Sequence, residues 1–185
     1  MLIPLRLSAQ TDEQLMKRAA SGSDRAFEEL YNRHARRLQG FFARRLGDDA
    51  DLAADFTHDT FLRLYAARHT YHEGRCFRSW LYTIAYNLWK NHNRRPHPQT
   101  LSIEEGGEEQ SFELDIDDAI LHDALRQVLR SLPEPYAMLF SLHYEEELTI
   151  PQIAQITQLP EGTVKSRLHK AMNIIKQQLK QYESD

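Results

Sequence analysis

The stretch TIPQIAQITQLPEGTVKSRLHKA, residues 149–171, predicts two helices joined by a tight turn. Thr149 and Gln152 have the T-x-x-Q spacing of a capping box, which begins the first helix. The TQLP segment at 157–160 turns the chain. In the second helix the apolar residues Val164, Leu168, Ala171 and Ile175 recur with helical spacing, so they form one core-facing stripe. This pattern predicts a helix-turn-helix.

The face opposite that stripe is polar and basic. Its members are Thr163, Lys165, Ser166, Arg167, His169 and Lys170. A helix that presents such a face is suited to the major groove of duplex DNA, where cations meet phosphates and small polar groups reach base edges. The alternative interpretation is a solvated basic face on a helix that serves only for packing.

Charge is distributed unevenly along the 185 residues, although the net charge is only −4. Residues 1–96 contain 16 Lys and Arg against 11 Asp and Glu, whereas residues 97–118 contain eight acids and no base. Basic surfaces separated by an acidic segment favour a nucleic-acid partner. A single cysteine, Cys76, excludes an internal disulfide, and the chain start predicts neither a signal peptide nor a membrane span.

The periodicity predicts an all-α protein with two small helical domains, residues 1–96 and 119–185, joined by a flexible acidic linker at 97–118. Four helices are expected in the first domain and four short ones in the second. The predicted helices of the first domain cover about 12–20, 24–46, 50–66 and 76–94. Thr11 with Gln14, and Ser23 or Asp24, are the expected caps of the first two helices.

The fourth helix, CFRSWLYTIAYNLWKNHNRR at 76–95, contains a second candidate surface. One stripe is apolar and predicted to face the core, namely Phe77, Leu81, Ile84 and Leu88. A second stripe mixes aromatic and basic residues, namely Arg78, Tyr82, Tyr86, Trp89, Lys90 and Asn93. Rings interleaved with cations suit single-stranded nucleic acid, because unpaired bases stack on the rings. The alternative is that some of these rings complete the core.

The third helix has an acidic face formed by Asp51, Asp55 and Asp59. DNA would repel this face, so it suggests a protein partner, with a solvated charged face as the alternative. His69, His72 and Cys76 have a spacing that could bind a metal, but no fourth ligand is nearby. Neither a glycine-rich phosphate loop nor a catalytic triad is recognisable, so the prediction is no metal, no cofactor, no small-molecule substrate and no enzymatic activity.

Three segments, in this order, resemble the extracytoplasmic-function sigma factors of bacterial RNA polymerase, and the resemblance covers nearly the whole chain. DFTHDTFLRLY (55–65) is similar to the family's polymerase-binding helix, and FRSWLYTIAYNLWKNHNRR (77–95) to its promoter-melting helix. LRSLPEPYAMLFSLHYEEELTIPQIAQITQLPEGTVKSRLHKA (129–171) is similar to its domain for the minus-thirty-five element, and GTVKSRL within it is especially specific. The implied function is promoter-specific initiation with core polymerase. The alternative is a helix-turn-helix regulator that acts without it.

The resemblance also implies roles for individual residues. The positions expected to contact the coiled-coil of the polymerase clamp are Asp51, Asp55, His58, Asp59 and Leu62. The basic face of residues 163–170 is expected to contact the minus-thirty-five element. Those expected at the melted minus-ten element are Tyr71, Arg75, Arg78, Tyr82, Tyr86, Asn87, Trp89 and Lys90, with Tyr71 as the aromatic of a loop that captures a flipped base. The acidic linker falls where the family threads a segment toward the polymerase active site.

Further expectations are a cytoplasmic protein and an anti-sigma partner that can hold it at the inner membrane. Four positions depart from the family's usual residues. His58 replaces the usual Gln, Asp59 a frequent Glu, and Tyr86 a common Arg. Gln158 occupies a turn position that usually holds Gly, where a positive φ would cost roughly 1 kcal/mol.

Overall fold

The structure is a computed structural model that describes residues 7–93 and 119–182, with side chains described for 7–93 and 125–180. All regular structure within these ranges is helical, which confirms the predicted fold class. The chain divides into two compact units, Met1–His97 and Pro98–Asp185. The predicted linker at 97–118 and the expected helix end at Arg94 lie outside the described residues.

The first unit contains four α-helices among its described residues. They are α1 (Asp12–Ala20), α2 (Asp24–Arg45), α3 (Ala50–Ala66) and α4 (Phe77–His92). Short 3₁₀ turns lie at Leu7–Ala9 and Arg68–Thr70. These bounds agree closely with the predicted ones, because strong side-chain caps define where α1, α2 and α3 begin.

Each of those three caps is visible in the structure. The side chain of Gln14 accepts from the backbone N–H of Thr11 at 3.1 Å, and the Thr11 hydroxyl accepts from the N–H of Gln14 at 3.3 Å, which completes the predicted capping box. Ser23 Oγ caps α2, and Asp49 Oδ1 caps α3 by accepting from Leu52 N–H at 3.0 Å.

Helix α1 is fixed to α2 by a network of polar contacts as well as by its buried Leu15 and Met16. The Asp12 carboxylate lies 3.0 Å from Arg33 Nη1 and 2.7 Å from His34 Nε2. The hydrogen bond from His34 is the main cause of a lowered pKa at Asp12; burial opposes it, and Arg33 reinforces it. The Arg33 guanidinium also donates to the backbone carbonyl of Gln10 at 2.8 Å. Gln10 and the first residue of α1 are thereby tied to α2.

The second unit contains α5 (Ala119–Ser131), α6 (Glu134–Phe140), a π-helical turn (Ser141–Glu145), α7 (Ile150–Thr157) and α8 (Glu161–Tyr182). Pro133, at the N-cap position of α6, separates α5 from α6. The described part of this unit thus has the expected four α-helices, although α8, at 22 residues, is not short.

The core of the second unit forms where α5 and α6 pack against α8. Its buried residues are Val128, Leu132, Tyr136, Phe140, Ala171, Met172, Ile175 and Leu179. Ser131 Oγ donates to Gln178 Oε1 at 3.0 Å and adds a polar link between α5 and α8. One side of α8 is therefore committed to the core.

Candidate nucleic-acid interface

Helices α7 and α8 form the predicted helix-turn-helix. Gln152 Oε1 accepts from the backbone N–H of Thr149 at 2.8 Å, which fixes the start of α7. Gln158 ends that helix in the left-handed region, with φ 59° and ψ 33°, as the usual glycine at this position predicts. Ile153 and Ile156 of α7 are buried, whereas Ile150 and Ala154 are only partly so. The left-handed backbone at Gln158 sets the direction in which α8 leaves the turn.

The two faces of α8 have the predicted characters. Val164, Ala171 and Ile175 are inaccessible to solvent, and Leu168 is nearly so. Lys165 and Lys170 are exposed on the other side, while Thr163, Ser166, Arg167 and His169 are half-buried. None of these six side chains belongs to the core. The helix therefore presents a continuous basic and polar strip.

Helix α3 presents a second, acidic surface. Among the exposed residues of this helix are Asp51, Asp55, His58, Asp59 and Leu62, which follow one another at helical spacing along one face. Leu62 is 53% exposed, which is more than the other two exposed large hydrophobic residues in the described part of the chain, Tyr144 at 40% and Tyr31 at 38%. This face thus combines three carboxylates with one exposed apolar side chain.

Helix α4 only partly matches the aromatic and basic stripe that the sequence predicts. Asn87 and Lys90 are exposed, and Arg78 and Tyr86 are half-buried. The Lys90 ammonium lies 5.8 Å from the centroid of the Tyr86 ring, and this ring lies 5.9 Å from Trp89. A cation beside an accessible ring is the arrangement that stacks a base and holds its phosphate.

Tyr82 does not belong to that accessible surface. It is 2% exposed, and its ring packs edge-on against Phe41 of α2 at a centroid distance of 5.4 Å. The expectation that Tyr82 meets DNA is therefore corrected, because α2 covers this part of α4. Trp89 is also largely buried, at 9% exposure. For these two rings, completion of the core is the interpretation that fits.

The loop between α3 and α4 contains an aromatic cluster. The Tyr71 ring stacks on Trp80 at a centroid distance of 5.5 Å, with 30° between the planes. The Arg75 guanidinium lies 5.0 Å from the Trp80 ring centroid, and the Tyr71 hydroxyl donates to the Arg75 backbone carbonyl at 2.6 Å. Tyr71 and Arg75 are both half-buried. The cluster is thus partly open to solvent.

Burial controls the ionisation of this cluster. It raises the pKa of Tyr71 to about 12, with the nearby carboxylate of Glu13 as the next cause. Burial also lowers the pKa of the Arg75 guanidinium, and the neighbouring Tyr71 opposes that shift. At neutral pH a tyrosine with a pKa of about 12 is neutral. The arginine is charged, since arginine is not deprotonated in proteins. The loop can therefore offer a neutral ring and a cation together.

Trp80 is a member of this cluster that the sequence did not single out. It follows Phe77 by three residues, so helical spacing places it beside the core, and it is 5% exposed. Its contact with Tyr71 joins α4 to a loop, and periodicity within one helix cannot reveal such a contact. The only signal was a tryptophan near a tyrosine and an arginine in a short segment.

His69, His72 and Cys76 lie in or beside the same loop. The His69 imidazole Nδ1 is 3.1 Å from the backbone carbonyl of Ala20, so it serves a structural contact. Among the side chains described for 7–93 and 125–180, no three from His, Cys, Asp or Glu are grouped so that they could hold a metal ion. Nor is any helix in that part of the chain long and apolar enough to cross a membrane.

Two family models match the chain, one in each unit. Residues 30–97 match Sigma-70 region 2, and residues 122–174 match Sigma-70, region 4. The first range contains the acidic face of α3, the Tyr71 loop and α4, and the second contains the helix-turn-helix. Both regions in one chain define the sigma-70 class of transcription initiation factors.

Individual relatives agree with these matches. The chain is 30% identical to the RNA polymerase sigma-H factor of Pseudomonas aeruginosa, over 91% of this chain and 94% of that protein. It is 28% identical to the ECF RNA polymerase sigma factor SigW of Bacillus subtilis, over 89% and 95%. In fold it is similar to CnrH in complex with the cytosolic domain of CnrY, with a TM-score of 0.67, 24% identity and coverage of 91% and 97%.

The chain belongs to the extracytoplasmic-function sigma factors of bacterial RNA polymerase. It is thus a factor that binds core polymerase and promoter DNA and directs promoter-specific initiation. The alternative of a regulator that acts without polymerase is not favoured, because residues 30–97, which lie outside the helix-turn-helix, match Sigma-70 region 2.

Proposed function

We propose that this sigma factor binds its partners through three surfaces: α3 contacts core polymerase, whereas α4 with its preceding loop, and α8, contact promoter DNA. The observation that carries this proposal is the contrast of charge and exposure. The described part of the chain presents an acidic face on α3 and basic faces on α4 and α8. Opposite charges require different partners.

The acidic face of α3 is the proposed contact with the clamp coiled-coil of core polymerase. Asp55 and Asp59 are exposed one helical turn apart, with Leu62 beside them. The carboxylates can pair with basic side chains of the partner, while the leucine can enter an apolar pocket. This face would remain clear of DNA, because phosphates repel carboxylates.

The loop and α4 are the proposed contact with the melted minus-ten strand. Tyr71 and Tyr86 are accessible rings, and Arg75, Arg78, Asn87 and Lys90 surround them with groups that can meet phosphates and base edges. The largely buried Trp89 ring lies 5.9 Å from the Tyr86 ring and supports it from the core side. Tyr82 is left out of this surface because it is buried.

The outward strip of α8 is the proposed reader of the minus-thirty-five element. Lys165, Arg167 and Lys170 would contact phosphates, and Ser166, His169 and Thr163 would approach base edges. The opposite side of α8 is packed in the core of the second unit. The strip therefore has a fixed orientation and can enter the major groove without loosening the core.

We further propose that the chain acts in the cytoplasm, performs no catalytic step itself and is controlled by an anti-sigma factor. The Bartonella quintana sigma factor RpoE, which has been solved in complex with the anti-sigma factor NepR, is similar in fold, with a TM-score of 0.61 and 21% identity over 83% of this chain and 96% of that one. That similarity and the exposed Leu62 support a protein partner of this kind.

Run-off transcription with core polymerase and a promoter library tests the proposal directly. The wild-type chain should yield transcripts from a defined subset of promoters. Asp55→Lys with Asp59→Lys should abolish them and prevent co-purification with core polymerase, because two attractive charges become repulsive. Both residues are exposed, so the melting temperature should hardly change.

Glu28→Lys, which alters an exposed acid of α2, is the matched charge control and should remain active. Transcription by the double variant at the wild-type rate would contradict the proposed role of α3.

A further inference from the structure

Helix α4 begins without a cap of its own. Cys76 occupies the N-cap position, and its side chain makes no capping hydrogen bond. The first N–H of the helix, that of Phe77, instead donates to Glu13 Oε1 at 3.2 Å. Glu13 is 64 residues away in sequence and belongs to α1. A carboxylate at this end of a helix also interacts favourably with the helix dipole.

Two further contacts join α1 to the loop that precedes α4. Lys17 forms an ion pair with Glu73, and the carbonyl of Ala20 accepts from the His69 imidazole at 3.1 Å. Together with Glu13, these contacts follow α1 along its length. Tyr71 lies between the contacted residues His69 and Glu73. The loop is therefore held from one side by a single helix.

Helix α1 is itself a firm support. Leu15 and Met16 are inaccessible to solvent, and Asp12 is bound by both Arg33 and His34 of α2. A residue on α1 consequently has a fixed position relative to the core. If the contact between Glu13 and Phe77 were lengthened or lost, the start of α4 and the loop would therefore shift.

We propose that Glu13 is a positioning residue for single-strand binding: by capping α4 from α1, it fixes the start of that helix and so the stacking of Tyr71 on Trp80. Phe77 and Trp80 lie within one turn of α4, so an unravelled first turn would displace the Trp80 ring. The inference rests on the proposed role of the Tyr71 loop in holding the melted strand.

The effect of Glu13 on its neighbours agrees with this geometry. Its negative charge is the second cause, after burial, of the raised pKa of Tyr71. The charge that caps α4 therefore also acts on the Tyr71 hydroxyl. Glu13 does not need to touch DNA, because it acts through the position of the loop.

Binding of the reconstituted holoenzyme to a single-stranded minus-ten oligonucleotide tests the inference. Glu13→Ala should weaken this binding about fivefold, the factor expected for one lost helix cap. Glu13→Gln keeps an acceptor oxygen and should retain most of the affinity. Adding Cys76→Asp to Glu13→Ala should restore binding, since aspartate can cap α4 locally. Binding to a duplex with only the minus-thirty-five element should be unchanged in all of them.

The control is Glu28→Ala, an exposed acid of α2, which should bind like the wild type. The inference is overturned if Glu13→Ala keeps wild-type affinity, if it loses both probes equally, or if Cys76→Asp fails to restore it. Tyr71→Ala separates this inference from the proposed function. If Tyr71→Ala loses binding and Glu13→Ala does not, only the positioning role is wrong; if Tyr71→Ala binds normally, the role of the loop is wrong.

Discussion

Helices α4 and α8 are both proposed to meet DNA, but they reach the surface in different ways. In α8 the outward strip is separate from the core stripe, and none of its six proposed contacts is buried. In α4 the aromatic stripe is divided, since Tyr86 is accessible while Tyr82 is covered by α2. Helical spacing therefore identifies which residues share a face, and tertiary packing decides whether that face is open.

The residue types explain why the two helices differ. Lysine and arginine are rarely buried, because loss of hydration around the charge is costly. A strip of cations such as Lys165 and Lys170 consequently stays at the surface. Burial of a tyrosine ring is favourable, so a ring such as that of Tyr82 can pack in the core as readily as it can stack on a nucleic-acid base. Basic patterns thus predict an open surface more securely than aromatic ones.

The two surfaces also imply different modes of recognition. The strip on α8 has cations and short polar groups, which suit the phosphates and base edges of an intact duplex. The α4 surface has Tyr86 beside Lys90, and the loop has Tyr71 beside Arg75. Stacking on such rings requires bases that are already unpaired. Each unit is accordingly suited to a different state of promoter DNA.

The largest expected effect concerns the cations of α8. Replacing Lys165, Arg167 and Lys170 with alanine should reduce the salt dependence of minus-thirty-five binding by a slope of about 2.7, if each contacts one phosphate. At 0.1 M salt this corresponds to about 500-fold weaker binding. Titration of the holoenzyme with duplex DNA at several salt concentrations measures both quantities.

Val164→Asp is the structural control for that experiment. Val164 is inaccessible to solvent, so a buried charge there should unfold the second unit and abolish duplex binding. Single-strand binding by the first unit should persist. A triple-alanine variant with the wild-type slope would show that α8 is not the duplex reader, and the contrast with α4 would lose its basis.

A smaller effect should distinguish the two tyrosines of α4. Tyr86→Ala should weaken holoenzyme binding to a single-stranded minus-ten oligonucleotide by about 1–3 kcal/mol, the range for one lost stacking partner. Tyr82→Phe should leave this affinity within about twofold, because the ring stays in the core and only the hydroxyl is lost. Fluorescence anisotropy with a labelled oligonucleotide measures both.

Thermal melting of the same variants completes the comparison. Tyr86→Ala should melt close to the wild type, since its ring is half-exposed. If Tyr86→Ala lost stability without losing affinity, its ring would be a core element like Tyr82. The division of the α4 stripe into a buried part and an accessible part would then be incorrect.

Much of the fold could be predicted from sequence because its signals are local. The capping box at Thr11 and the cap at Ser23 fixed where α1 and α2 begin, and the i, i+4 and i+7 spacing in α8 identified its buried side. The accessible face of α3 followed from the same spacing. Each of these features depends on residues within a turn or two of each other.

The features that sequence reasoning missed depend on contacts between distant segments. The burial of Tyr82 requires Phe41 of α2, and the stacking of Trp80 requires Tyr71 of the loop. The cap that Glu13 provides to α4 joins two helices that are far apart in the chain. No periodicity within a single helix encodes such contacts.

The smallest expected effect concerns the turn that gives α8 its direction. Gln158 is exposed, and its backbone lies in the left-handed region with φ 59°. A residue with a Cβ atom is disfavoured in this conformation. Gln158→Gly should stabilise the second unit by about 1 kcal/mol, which raises its melting temperature by roughly 4–8 °C. Gln158→Ala retains the Cβ atom and should show no such gain. Calorimetry of the full chain measures both. Duplex affinity below the melting temperature should stay within about twofold of the wild type, since the strip on α8 is unchanged. A stabilised Gly variant with weaker duplex binding would mean that the strained backbone at Gln158 helps to orient α8. The difference between α8 and α4 would then lie in the backbone as well as in the residue types.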